Sequence, residues 1–471
     1  MRITELQHCE IRPGRLVEWT MHPKTVEAAM SRPEDPRPPA YVQESHLRMA
    51  RAKSQSGMPT PNWIGTAFDI PGSVDPGVLQ TTLHTWTLRH ETLRSGFRWV
   101  GEEVRRFTLD ANDVALHRED VGDFPDAERL TEHLQERLDV AADALIWPNF
   151  IFAAVARNDT TSVYMVFDHV NADLYSLQRI PAEICELYAA FREGRAPDRS
   201  SVASYIDFSA AERMEADQID VTHPIVTRWR AFIGQCGGDL SNLPVDLGVV
   251  PEDPPLFAKK LVDEMLVDDT GAAAFEAYCR PYGGSAVGAL AASSLVAYQI
   301  GGQPVHRIVV PLHTRAGSQW ADSMGWYVGC APIEIPVGHA PDFDSALRAA
   351  RAALRENRAL ARVPVARVLH LLGIDYRPPT LPNLHALVSY NDGRNFPGSE
   401  RWQALKTYAV SRVSRGDNTT GLWFNRLHEG LYLTARHPDT DVADKNMRLY
   451  FEGLRDLIVS VAQRDRAWRT R

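Results

Sequence analysis

At 471 residues, 44% hydrophobic and 24% charged, with 30 Gly and 31 Pro spread along its length, the chain has the composition of a folded protein. It is longer than one hydrophobic core ordinarily supports, so two lobes are expected. Lys and Arg number 51 against 60 Asp and Glu, a formal charge of -9. That balance lacks the cation excess a phosphate-binding protein needs, and speaks against a nucleic-acid partner. Cys9, Cys185, Cys236, Cys279 and Cys330 are scattered and show no CxxC spacing. They fit a reducing compartment better than a disulfide framework or a metal site.

The opening, MRITELQHCEIRPGR, has no apolar core of a signal peptide, and a cytoplasmic location is expected. Asp75-Pro76 predicts a helix start, with the acid as N-cap and the proline at the first helical position. The helix then runs through Leu79, Leu83 and Trp86 towards Arg89. A strand pair follows, FRWV at 97–100 and VRRFTL at 104–109, around Gly101. SVYMVFD at 162–168 reads as a buried strand. A helix comes next, with the apolar stripe Leu177, Ile180, Ile184, Leu187, Tyr188 and Phe191, ending near Gly194.

From 198 to 225 the pattern loosens into a polar stretch, which places a boundary between lobes spanning 1–205 and 220–471. The second half carries strands near KKLVDEMLV, at 306–312, 326–337 and 385–391, and helices at 343–362 and 444–463. Gly283 to Ile300 carries no charge, but its Gly, Ala and Ser content and lack of flanking anchors predict a buried helix and no membrane span. Strands alternating with helices throughout indicate an α/β (α+β) fold.

His169-Val-Asn-Ala-Asp173 is an HxxxD element. With 16 histidines, about one such spacing is expected by chance. A second occurs at His437-Pro-Asp-Thr-Asp441. Context separates the two. His169 follows a predicted buried strand and precedes a helix, where side chains leave a rigid scaffold, and Asp173 stands at the N-cap. His437 precedes a proline in a polar run and reads as a solvated histidine. No GxSxG, HExxH, P-loop or GxGxxG after a strand is present, so the residues by themselves leave two readings of His169, a structural histidine or proton chemistry, with proton chemistry the leading catalytic candidate.

Three segments in order carry a family resemblance. Arg89-His-Glu-Thr-Leu-Arg-Ser-Gly-Phe97 resembles the RHExLRxxF element of non-ribosomal peptide synthetase condensation domains. His169-xxx-Asp173 resembles their HHxxxDG core. Met324-Gly-Trp-Tyr-Val-Gly-Cys-Ala-Pro332, with Arg315 upstream, resembles GxFVNxLP. The opening and the size also resemble polyketide-associated acyltransferases. The resemblance implies two chloramphenicol-acetyltransferase-like lobes forming a V, with an active-site tunnel between them. It makes His169 the base, and Asp173 a structural group paired with Arg315 of the second lobe.

The implied reaction is a condensation step of natural-product biosynthesis, such as antibiotic assembly. An acyl or aminoacyl group moves from a phosphopantetheine thioester on a carrier protein to a hydroxyl or amine, with no cofactor bound. A coenzyme A donor, an epimerase-type relative or a catalytically silent recruitment platform are the alternatives. Two positions depart from the family pattern: Asp168 replaces the first histidine, and Leu174 replaces the glycine that lets a pantetheine arm approach. Leu174 and Asn391 are candidate tunnel-lining residues; Asn391 also fits a plain Asn-Asp-Gly turn. Arg348, Arg351, Arg355, Arg358 and Arg362 recur at helical spacing. They form either an ordinary solvated face or, through Arg351, Arg355 and Arg358, a docking strip for an acidic carrier protein.

Overall fold

The computed structural model describes residues 1–58, 60, 62–197, 201–238, 240–241, 243–249, 257–374, 387–412, 415–416 and 420–463. Their contacts form two compact units. The first comprises the described residues of Met1–Ile219, Arg315–Tyr327 and Phe396–Arg412; the second, those of Asp220–Thr314, Val328–Asn395 and Val413–Arg471. The first break falls at the expected polar stretch. The second unit is not the continuous 220–471 segment expected, because two pieces of the C-terminal half return to the first unit. One carries Arg315, and the other supplies a strand to the first unit's sheet. A polar stretch marks where a chain leaves a core, but contains nothing about later segments that come back by long-range pairing.

In the first unit the sheet order is Arg2–Glu5, Tyr408–Ser411, Trp63–Pro71, Thr160–Asp168, Phe150–Ala156, Gly14–Met21 and Leu116–Phe124. The first two are parallel and all other neighbours antiparallel. Thr160–Asp168 lies in the middle, buried without interruption from Val163 to Asp168, so its C-terminal end is held from both sides. Glu34–Asp35, Glu103–Thr108 and Ser95–Val100 form a small antiparallel sheet.

Helix Pro76–Arg89 begins as its sequence dictates: the Asp75 carboxylate accepts from the main-chain N–H of Gly77 at 2.7 Å and Val78 at 3.1 Å. Its buried Trp86 ring lies 6.1 Å from Phe152 and 6.0 Å from Phe167, tying the helix to the two central strands.

The second unit repeats the scheme in the order Val328–Pro336, Val305–His313, Leu387–Asp392, Gly421–Leu427, Gly430–Pro438, Phe257–Asp268 and Arg415–Gly416. Leu387–Asp392 runs parallel to both neighbours and the other pairs are antiparallel. Helix Ser285–Gly301 is buried from Val287 to Ala297 and shares one core with Ile308, Leu347, Phe424 and Leu454. The uncharged stretch is therefore a core helix. No helix among the described residues is long and apolar enough to cross a membrane. Helix Phe343–Asn357 stops short of the expected 362 and gives way to a 3-10 turn over Arg358–Arg362, and the terminal helix starts early, at Asp441.

Candidate active site

The strand Thr160–Asp168 ends where HxxxD begins. Asp168 is fully buried: its N–H donates to the Asn149 carbonyl at 2.8 Å, and its carboxylate accepts from the Val170 N–H at 2.9 Å. The Asn171 amide donates to Asn149 Oδ1 at 2.7 Å and accepts from Thr92 Oγ1 at 3.1 Å. Thr92 belongs to the RHETLRSGF stretch, whose Glu91 bonds Arg37 and whose Arg94 donates to the Leu109 carbonyl. That stretch thus braces the turn beneath His169.

Asp173 caps helix Leu174–Arg192 by accepting from the Ser176 N–H at 2.8 Å. Arg315 grips the same carboxylate with Nη1 at 2.7 Å from Oδ2 and Nη2 at 3.0 Å from Oδ1. Ser176 Oγ and the Tyr327 N–H add bonds of 2.7 and 3.0 Å. Burial by itself raises the Asp173 pKa; the charge and hydrogen bonds of Arg315, with those of Ser176, outweigh it and hold the group below the ordinary carboxylate value. The Arg315 guanidinium also lies between the rings of Tyr175 and Tyr327, at 4.2 and 4.1 Å. The expected pair is present, with one correction: it does not join two lobes. Arg315 lies with Asp173 in the first unit, because the whole segment 315–327 packs there.

The same bonds explain why the strand expected at 326–337 starts only at Val328. The Tyr327 N–H is taken by Asp173, and the Trp326 carbonyl accepts from Tyr205 Oη at 3.0 Å. Both main-chain groups are lost to the sheet ladder. Gly325 is required at this point, since a Cβ there would lie 2.3 Å from the Tyr205 ring.

Held this way, Trp326 forms a plate under His169. The two rings stack with centroids 3.9 Å apart and planes 29° apart. His169 is half-buried as a residue, and its Nδ1 is buried and bonds no other residue. Nε2 is not among the buried orphan atoms, and no described group bonds it. Burial, then the neighbouring charge of His46, pushes the His169 pKa down to about 4, against smaller opposing effects of its own main chain, Asp168 and Asp173. The imidazole is therefore neutral at neutral pH. Both Asp173 oxygens are occupied by Arg315, Ser176 and Tyr327, so Asp173 orients the turn rather than the ring.

Leu174 is the first residue of the helix behind His169 and is half-buried. Asn391 lies elsewhere, in strand Leu387–Asp392 of the second unit, with its amide nitrogen buried and unpaired; it is a strand residue, and not part of a free turn. Arg351, Arg355 and Arg358 are exposed on the second unit. Arg351 donates to the Pro281 carbonyl at 3.1 Å, and Arg358 stands beyond the helix end, so the five arginines do not form one regular stripe. His437 corrects an expectation: it is 1% exposed, on strand Gly430–Pro438, with Nδ1 donating to the Pro438 carbonyl at 2.9 Å. Among the described residues no three His, Cys, Asp or Glu side chains converge as metal ligands.

Sequence reasoning missed Ser176, Trp326, Tyr327, Gln43 and His46. Ser176 follows its N-cap by three residues, a position that invites a capping bond, and Trp326 lies inside a stretch already singled out. Gln43 ends the PPAYVQ stretch of the family-like opening, and nothing in the sequence pointed to His46.

The Condensation domain profile matches residues 62–414. The acyltransferase PapA3 of Mycobacterium tuberculosis is 25% identical over 458 residues, covering 96% of this chain and 94% of the relative. The trehalose-2-sulfate acyltransferase PapA2 of the same organism is 25% identical over 468 residues, covering 98% and 97%. A solved structure of a PapA2 acyl transferase superposes with a TM-score of 0.89 at 24% identity, over 98% of this chain and 100% of that one, which shows a shared fold. The matched segment begins on the central strands and spans the whole His169, Asp173 and Arg315 frame, and on these grounds the chain belongs to the condensation-domain family, as one of its acyltransferases.

Proposed function

We propose that the protein esterifies a hydroxyl acceptor with an acyl group drawn from a phosphopantetheine thioester, in natural-product or lipid biosynthesis, with His169 as general base. The carrying observation is the neutral His169 ring, stacked 3.9 Å from Trp326 with no described group on Nε2. Nε2 takes the acceptor proton as the hydroxyl oxygen attacks the thioester carbonyl. The C–O bond forms, the tetrahedral intermediate collapses with cleavage of the C–S bond, and the imidazolium returns its proton to the departing thiolate. A thioester needs no protein nucleophile, which agrees with the absence of a Ser or Cys elbow in the sequence. The name of the PapA2 relative, with its sulfated trehalose, supports a hydroxyl over an amine.

The test uses octanoyl-coenzyme A, and the same acyl group on a phosphopantetheinylated carrier protein, with trehalose-2-sulfate as acceptor. Thiol release and product mass are read for wild type and His169→Ala. Ester formation that depends on His169 supports the proposal. Thiol release without ester removes the sugar acceptor, and ester formation independent of His169 removes the base.

The pH profile offers a second check. A base with its pKa near 4 is already deprotonated well below the 6.5 of a free histidine. The acid limb of kcat/KM should therefore fall near pH 4 to 5, with activity flat through pH 6 to 7. A limb centred near 6.5 would mean that the ring is not enclosed as described.

For the donor, we propose that Arg351, Arg355 and Arg358 receive an acidic carrier, which an enzyme of net charge -9 otherwise repels. Exchanging all three for Glu should lower kcat/KM with the carrier-bound donor by roughly tenfold or more at low salt, with the gap closing as salt rises. Octanoyl-coenzyme A should be used at the wild-type rate. Equal rates with both donors would return these side chains to an ordinary solvated face.

A further inference from the structure

One buried polar contact lies against the His169 turn outside the frame just described. His46, on helix Tyr41–Gln55, places Nε2 3.1 and 3.2 Å from the two oxygens of Asp168, and its side chain is only 10% exposed. Asp168 stands where the family pattern has a histidine. Its carboxylate also holds the Val170 N–H, so one side chain ties together the residues on both sides of His169. One turn earlier on the same helix, Gln43 donates to the Val170 carbonyl at 2.8 Å, while its own Oε1 accepts from the Ala40 N–H and Arg106. His46 makes a further contact: its ring meets Trp326 edge-on at 5.5 Å and 81°, on the indole whose face lies on His169.

We infer that His46 and Asp168 form a positioning pair for His169. Asp168 fixes the main chain on either side of the base, and His46 fixes both that carboxylate and the indole plate. Burying a carboxylate and an imidazole together is costly, and apolar side chains of similar size would fill the space with less desolvation. Holding a reacting ring to within a fraction of an ångström is a reason to retain such a pair, since a 1 Å misplacement can cost about 10²-fold in rate.

The pair matters to turnover only if His169 is the base, as proposed above, so the experiment separates the two. His46→Ala, His46→Gln, Asp168→Asn, His169→Ala and the double variant His46→Ala/His169→Ala are assayed with octanoyl-coenzyme A and trehalose-2-sulfate. His46→Ala and Asp168→Asn are expected to lower kcat about 10- to 100-fold with KM for the thioester within about twofold. His46→Gln, whose amide can still donate to Asp168, should recover most of the loss. In the His169→Ala background, removing His46 should cost nothing further, because it acts through the missing ring. Carbethoxylation of His169 by diethyl pyrocarbonate, located by mass spectrometry, should quicken severalfold in His46→Ala, and this readout needs no substrate.

Wild-type kcat in His46→Ala and Asp168→Asn alongside a dead His169→Ala overturns the positioning pair and leaves the base intact. Full activity in His169→Ala overturns the base. A further loss in the double variant, or no rescue by Gln together with a lowered melting temperature, reduces His46 to a structural residue and overturns the inference.

Discussion

His169→Ala is expected to lower kcat/KM by about 10²–10⁴-fold, the usual worth of a positioned general base. This amounts to about 3–5 kcal/mol of transition-state stabilisation. The protein should fold normally. No other described residue hydrogen-bonds the imidazole, so its removal strands no partner elsewhere in the site. What is lost is the stack on Trp326, a contact worth about 0.5–1.5 kcal/mol beyond its buried area. Circular dichroism and the denaturant midpoint should therefore stay close to wild type while turnover collapses. Near-wild-type turnover in a correctly folded variant would sink the mechanism, whereas a silent platform that only recruits partners would show no turnover in wild type either.

Asp173→Ala should act in the opposite proportion, with a large loss of stability as well as of activity. Its carboxylate accepts from both Arg315 nitrogens, from the N–H and Oγ of Ser176, and from the Tyr327 N–H. Removing one member of a buried pair strands the other charge, at a cost of about 3–5 kcal/mol. The freed Tyr327 N–H also loosens the backbone beside Trp326, and with it the plate under His169. Urea or guanidinium denaturation measures the first effect, and kcat/KM the second. The linkage has a definite sign. A carboxylate held below its ordinary pKa contributes stability above the usual carboxylate range, and loses it as pH falls through the lowered value. Wild type should lose this increment in acid, and Asp173→Ala should have none to lose. A variant with an unchanged midpoint would show that Asp173 and Arg315 do not hold the site together.

Much of the local architecture was legible in the sequence, because its signals are themselves local. Asp75-Pro76 and Asp173 start their helices by satisfying N–H groups two or three residues ahead, which depends on nothing distant. The apolar run before His169 is a central strand, since only a strand covered on both faces tolerates such a sequence. The uncharged run from Gly283 is a core helix for the same reason. The order of the three family-like stretches was enough to indicate the fold and the acyltransferase class.

What the sequence left open depends on which distant surfaces meet. His437 sits in a polar stretch and is nevertheless buried, because exposure belongs to what packs against a strand and not to its neighbours in sequence. Arg315 lies 142 positions from Asp173, and its segment joins the first unit through one carboxylate and two tyrosine rings that leave no periodic mark on the chain. Trp326 looked like the start of a strand, and became a plate under His169 only because Asp173 and Tyr205 take the main-chain groups on either side of its peptide bond. His46 meets Asp168 from 122 positions away, on a helix that carries no sign of chemistry. Local propensity and capping determined the elements and the identity of the candidate base. Side-chain pairing across the fold decided the company that base keeps, and so its protonation state and the plane in which its ring is held.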